Sequence, residues 1–263
     1  MIVAALFLLG LAFGSFLNVL VWRTKNGTSA IKGRSKCPHC HHQLAWFDLI
    51  PVISWVWLKR RCRYCQKPIH IQYPAVELLT AGLFGLSYHV WQHELITVEA
   101  KLYFASWLVA LLLMISLAVY DLRWMILPDK FTFTLIGVSS AAVLINGFNE
   151  PALITEAAGG AAVAWLFFGA LYYGSGGRWL GGGDLKFALS MGLWLGLDHI
   201  AVGLALSFYS ASAVVIPLLA FKKLKRTQPV PFGPFLILGT IIATLYGQEL
   251  VDWYFEILVP SLV

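Results

Sequence analysis

Apolar residues run along this chain in long blocks, and polar residues collect in the gaps between them. A hydrocarbon core of roughly 30 Å needs about 20 apolar residues in a helix. On that measure the blocks predict eight membrane spans, near 2–22, 74–91, 102–120, 131–148, 153–173, 185–197, 199–220 and 232–250. The sixth block is short and fits a re-entrant or strongly bent helix as well as a full span. Only the segment from Arg23 to Tyr73 is both long and polar, and no internal repeat or low-complexity tract is visible. The pattern therefore predicts an all-α polytopic membrane protein. A first transmembrane helix occupies 1–22, a polar insert 23–73 and a helical membrane core 74–263.

Composition agrees, since 59% of the 263 residues are hydrophobic and 12% charged, whereas soluble domains carry about a quarter charged residues. The 11 Trp and 10 Tyr suit the two headgroup interfaces. No basic residue precedes the first apolar run and no small-residue cleavage site follows it, so a retained span is expected there rather than a removable signal.

The net charge of +6 reads as a topology signal, not as a nucleic-acid footprint. With the insert placed inside and the spans alternating, 18 of the 19 Lys and Arg residues fall on the inner side and only Lys101 falls outside. Most acids go the other way, from Glu94 and Glu99 to Asp252 and Glu256. The asymmetry predicts an even number of spans with both termini outside, although merging or losing a pair of spans would preserve it. Five acids remain inside: Asp48, Glu77, Asp121, Asp129 and Asp184.

Two of these close or open predicted spans at the same membrane face, Asp121 in "SLAVYDLRW" and Asp184 in "GGGDLKF". Helices far apart in sequence can bring such carboxyls together. Peptide hydrolysis by a carboxyl pair needs one ionised to activate water and one protonated to assist the carbonyl, and two carboxyls in contact share one proton. Gly181, Gly182 and Gly183 would allow positive φ or the close approach of another chain. Other readings stand beside this one. Asp184 fits a helix N-cap, Asp121 fits an ion pair with Arg123 or Lys186, and Asp129 after Pro128 fits a structural helix start.

"CPHC" at Cys37–Cys40 and "CRYC" at Cys62–Cys65 repeat a C-x-x-C knuckle after 21 intervening residues. Four thiolates at this spacing predict a structural zinc site with no open position, and a reducing cytoplasmic compartment suits them. The alternative is a pair of redox dithiols. With four cysteines completing a site, His39, His41 and His42 read as solvated loop residues. The apolar "WFDLIPVISWVWLKR" between the knuckles is too short to span, and is expected to lie on the membrane or under the metal site.

Taken in order, "GSFLNVLVWR", the two knuckles, "DLIPVISW", "YPAVELLT", "YDLRWMILPD", "GGGDLKF" and "VPFGPFLILG" make the chain resemble the type IV prepilin peptidases. These are polytopic bacterial inner-membrane enzymes that cleave and N-methylate prepilins and type II secretion pseudopilins. The resemblance implies that Asp121 and Asp184 are the catalytic pair, and that a short basic leader is cut after Gly at the cytoplasmic face. It further implies methylation of the new N-terminus from S-adenosylmethionine, an activity associated with the cysteine-bearing insert. The family pattern Ser-x-Arg-Tyr-Pro is replaced here by His70, Ile71, Gln72, Tyr73 and Pro74. No Gly-rich strand-to-helix loop marks a methyl-donor pocket. Glu77, at the inner start of the second span, is the candidate to meet that cofactor or the substrate amine, with a salt bridge to a loop Arg as the alternative.

Two other functions fit parts of the pattern. A presenilin-like intramembrane aspartyl protease would keep the Asp pair and change the substrate, but the cysteine insert and first-span motif argue against it. An ion-coupled transporter would place acids near the midplane within inverted repeats, and neither is evident.

Overall fold

The structure, a computed structural model, describes residues 1–29, 33–91, 95–225 and 228–258. Lys32, Glu94 and Arg226, which enter the charge count, lie outside the described residues. Those described form eight α-helices and one short 3₁₀ turn. The helices are α1 (Ile2–Lys25), α2 (Ile53–Trp57), α3 (Gln72–Val90), α4 (Val98–Trp124), α5 (Asp129–Asn146), α6 (Pro151–Gly174), α7 (Gly182–Ala220) and α8 (Gly233–Leu258). Five of them, α1, α4, α6, α7 and α8, are long and apolar enough to cross a membrane. The sixth and seventh apolar blocks of the sequence join into one element, α7, interrupted at Gly196 (φ 59°, ψ −169°).

The chain divides into two compact units, Met1–Val90 and Trp91–Val263. In the first, α1 and α3 run antiparallel with almost no space between their backbones. A Cβ on Gly10 would lie 2.6 Å from Ala81 Cα, and one on Gly14 would lie 2.7 Å from Glu77 Cα. Small residues four apart on one helix face allow this approach, which lets van der Waals contact replace the hydrophobic drive that lipid does not supply. Nearer the insert, Asn18 Nδ2 donates to the Tyr73 carbonyl at 3.2 Å, and Gln72 Nε2 donates to Asn18 Oδ1 at 3.2 Å.

In the second unit, α6 packs antiparallel to the first limb of α7, where Gly160 meets the backbone of Gly192 and Gly196, and Gly169 faces Leu185. Twelve residues of straight helix span about 18 Å. Yet a Cβ on Gly203 would lie 2.9 Å from Met191 Cε, so the chain reverses at Gly196 and the second limb returns along the first. The last helix, α8, then runs back along that returning limb, with Gly239 against Ser207 and Gly247 against His199. Trp107, Phe168, Phe187, Leu111 and Leu117 fill the interior, while Leu166, Phe208 and Tyr209 point outward as lipid-facing residues should.

Glycine at these crossings has different consequences at different sites. Gly192→Val drives a side chain into the Ala161 backbone and is expected to destabilise the protein by about 1–3 kcal/mol or more. A Cβ on Gly137 meets nothing within 4 Å, so Gly137→Ala within α5 should be neutral or stabilising by up to about 1 kcal/mol. Thermal unfolding in detergent, compared between the two variants, tests both expectations.

Candidate active site

Asp121 lies in the last turn of α4, where Met125 in the left-handed region (φ 53°) ends the helix and returns its N–H to the Asp121 carbonyl at 2.8 Å. The Asp121 side chain is buried, and its Oδ2 accepts the N–H of Gly233, the first residue of α8, at 3.0 Å. A Cβ on Gly233 would lie 2.7 Å from that oxygen. Glycine is therefore required for the carboxylate to reach the helix start, where unpaired N–H groups and the helix dipole favour negative charge.

Asp184 occupies the third position of α7, after an N-cap at Gly181. Its Oδ2 accepts the Gly181 N–H at 3.2 Å, the acid half of a capping box. The side chain is buried. Leu127, buried in the link between α4 and α5, supplies the spacer. A Cβ on Gly183 would lie 2.8 Å from Leu127 Cβ, and one on Gly233 would lie 3.2 Å from Leu127 Cδ2. The end of α4 and the starts of α7 and α8 thus converge around one side chain, and the two acids converge with them.

This geometry decides between the readings left open by the sequence. Asp184 is near the cap of α7 without being its N-cap. The partner of Asp121 is a backbone N–H, while Arg123 lies over the Trp124 ring at 5.8 Å and Lys186 bonds Asp129 Oδ1 at 2.6 Å. Asp129 begins α5 behind Pro128, and its ion pair is largely exposed. None of Gly181, Gly182 and Gly183 takes positive φ; the positive-φ glycines of this loop are Gly176 and Gly177. Gly233 and Leu127 are the site residues that motif reasoning did not single out. Their only sequence signals are Gly-Pro at a helix start and an apolar residue before Pro128.

In the first unit the two knuckles fold alike. Each begins and ends at an antiparallel bridge, Lys36 with Gln43 and Arg61 with Pro68. In each, the first cysteine donates its N–H five residues on, Cys37 to His42 O at 3.0 Å and Cys62 to Lys67 O at 2.9 Å. His41 and Gln66, at φ 56° and 58°, close the two turns. The four sulfurs lie within 4.8 Å of one another, and Cys37 and Cys65 are 3.9 Å apart. Tetrahedral Zn–S bonds of about 2.3 Å imply sulfurs about 3.8 Å apart, so the thiols are spaced to hold such an ion. His39, His41 and His42 stay exposed, and the His42 ring packs on Tyr64 with centroids 3.7 Å apart. The segment between the knuckles folds against the second of them, through Arg63 to Asp48 at 2.8 Å and Trp55 Nε1 to the Ile69 carbonyl at 3.2 Å.

Glu77, also buried, meets no loop arginine among the described residues. Its Oε2 accepts the Val52 N–H at 2.7 Å, and Ser15 hydrogen-bonds it from α1.

Comparison with known proteins falls along the same division. Residues 8–91 match the bacterial peptidase A24 N-terminal domain, and residues 108–218 match the type IV leader peptidase family. The chain is 32% identical to the prepilin leader peptidase/N-methyltransferase of Aeromonas hydrophila, covering 94% of this chain and 92% of that one. It is also 32% identical to the protein of the same name from Bacillus subtilis (strain 168), over 95% of this chain and 97% of the relative.

The chain belongs to the type IV leader peptidase family. Another member, from Legionella pneumophila, is 30% identical over 94% of this chain. No solved structure matches it. Both convergent acids of this leader peptidase lie inside the second matched region, and the cysteines and Glu77 lie inside the first.

The four-thiol geometry predicts a stoichiometric bound metal in the purified protein. Replacing Cys37 and Cys40 together by Ser should release it and expose the insert to protease, read by elemental analysis and limited proteolysis. Metal content unchanged by that pair of substitutions would contradict the site.

Proposed function

We infer that this multi-pass membrane protein removes the leader from prepilins and pseudopilins and then N-methylates the new N-terminal residue. The observation that carries the peptidase half is the convergence of Asp121 and Asp184, each held by a helix-start N–H and both packed about Leu127. Two carboxyls in contact hold one proton between them. The ionised member takes a proton from water as the water oxygen attacks the scissile carbonyl, and the protonated member gives its proton to the carbonyl oxygen. As the tetrahedral intermediate collapses, the carboxyl that took the water proton passes it to the departing amine while the C–N bond breaks, and the hydroxyl proton returns to the other carboxylate, restoring the one-proton pair. Because each acid accepts a backbone N–H, their orientations are fixed before substrate arrives, which spares reorganisation during the reaction.

The membrane arrangement we propose counts α1, α3, α4, α5, α6, the two limbs of α7 and α8 as eight spans in the bacterial inner membrane. Both termini then lie outside, and both acids lie at the cytoplasmic face. The distribution of Lys and Arg supports this orientation. The substrate is a chain with a short basic leader ending in Gly ahead of an apolar helix, which lipid would hold at the same depth. The four thiols hold a structural zinc that fixes the insert, since four protein ligands leave no position for substrate. S-adenosylmethionine supplies the methyl group when bound, and this chain must present the new amine to it.

Incubating purified protein with a prepilin and methyl-labelled S-adenosylmethionine scores both activities together. Label should appear only on cleaved chains, and Asp121→Asn or Asp184→Asn should each lower cleavage by on the order of 10³-fold or more. Full cleavage by either variant would remove the dyad from consideration.

A further inference from the structure

Only two acids occur among the first 90 residues, Asp48 and Glu77, against ten Lys and Arg. Asp48 is engaged by Arg63, by the Tyr64 hydroxyl at 3.2 Å and by the Ala45 N–H at 3.2 Å. Glu77 differs. It is buried, and neither the Arg63–Asp48 nor the Lys186–Asp129 ion pair includes it. A buried carboxylate without a counter-cation is costly unless a cation comes to it.

Glu77 lies behind a cleft, which Ser15 lines. Val52, whose N–H it accepts, sits at φ 61°, ψ −51° in a tight turn closed by Ile53 N–H to Pro51 O at 2.5 Å. A β-branched residue rarely occupies this region, and such strain persists only where surrounding contacts enforce it. Ser15, which bonds this carboxyl, and Pro51, which precedes Val52 in the turn, line a cleft of about 340 Å³ together with Phe16, Val19, Arg23 and Leu49. That volume falls at the lower end of small-molecule sites. Further along α1 the cleft is lined by a cation: Arg23, buried, donates to the Gly33 carbonyl at 2.9 Å and the Ser29 carbonyl at 3.3 Å. The cleft thus runs along α1 from Ser15, beside the Glu77 carboxyl, to the Arg23 guanidinium.

We propose that this cleft is the methyl-donor pocket, with Glu77 behind its wall supplying the negative charge that favours a sulfonium. The inference rests on the methyltransferase reading above. In the transfer, the amine nitrogen bonds to the methyl carbon as the C–S bond breaks, its electrons staying on sulfur, and the resulting ammonium sheds a proton to water. The sulfur loses its positive charge in that step. A carboxylate behind the wall therefore holds S-adenosylmethionine more tightly than the neutral thioether S-adenosylhomocysteine, and so assists exchange of product for fresh donor. Glu77 is a positioning residue for this site and touches the ligand only through the turn and Ser15.

The test is equilibrium binding of labelled S-adenosylmethionine and S-adenosylhomocysteine to the full chain in detergent, with metal content and melting temperature followed alongside. Glu77→Gln keeps an acceptor for Val52 N–H and removes the charge. It should weaken S-adenosylmethionine about tenfold and change S-adenosylhomocysteine much less. Equal weakening of both ligands, or no weakening, overturns the role of the charge. Val19→Trp fills the cleft without touching Glu77 and should abolish binding of both ligands; undiminished binding overturns the location. Absence of S-adenosylmethionine binding by the unaltered protein overturns the methyltransferase reading and the pocket with it. Binding that survives both substitutions overturns the pocket alone.

Discussion

The packing of Leu127 between Gly183 and Gly233 is the constraint on which the arrangement of the two buried acids depends. It brings together the end of one helix and the starts of two others, and those are the places where a helix has unpaired backbone groups to offer. A carboxylate carried into apolar surroundings needs such groups. Asp121 finds one on α8 and Asp184 finds one on its own N-cap, so neither needs a cationic side chain that would hold it ionised. A lysine or arginine paired to either acid would oppose proton sharing. Lys186, the basic residue two positions beyond Asp184, is drawn off by Asp129.

The same economy appears in the first unit, in a different chemistry. The first 90 residues of the sequence carry ten basic residues and two acids, and Asp48 is taken up in tying the second knuckle to the segment before it. Glu77 is left to hold a strained turn at the end of an α1–α3 pair whose glycines bring the two backbones together. A loose α1–α3 crossing would let Ser15, Val52 and Glu77 separate. The close crossing therefore positions polar groups as well as packing apolar ones.

Much of this was visible in the sequence because its causes are local. Apolar block length marked α1 and α3 to within a few residues at either end, and cysteine spacing marked the four-thiol cluster, since a C-x-x-C turn brings its own two sulfurs together. Contacts made through backbone leave no such trace. The partner of Asp121 is an N–H 112 residues away, and any residue but proline supplies one, so only the need for a missing side chain singles out Gly233. The reversal at Gly196 likewise depends on φ, and the apolar blocks on either side of it read as two separate spans. Glu77 was expected to meet either a ligand or an arginine, and no pattern in the chain pointed to a turn at Val52 with φ 61°.

The central claim is that Asp121 and Asp184 work as one unit held about Leu127. Residues that act as a unit are strongly non-additive, because losing either one already forfeits what both supply. The most direct measurement is the residual leader-cleavage rate of the Asp121→Asn/Asp184→Asn double variant beside those of the two single variants. The account predicts three rates that are the same within error. A double variant slower than the singles by the product of their separate losses would show two independent carboxyls and contradict it.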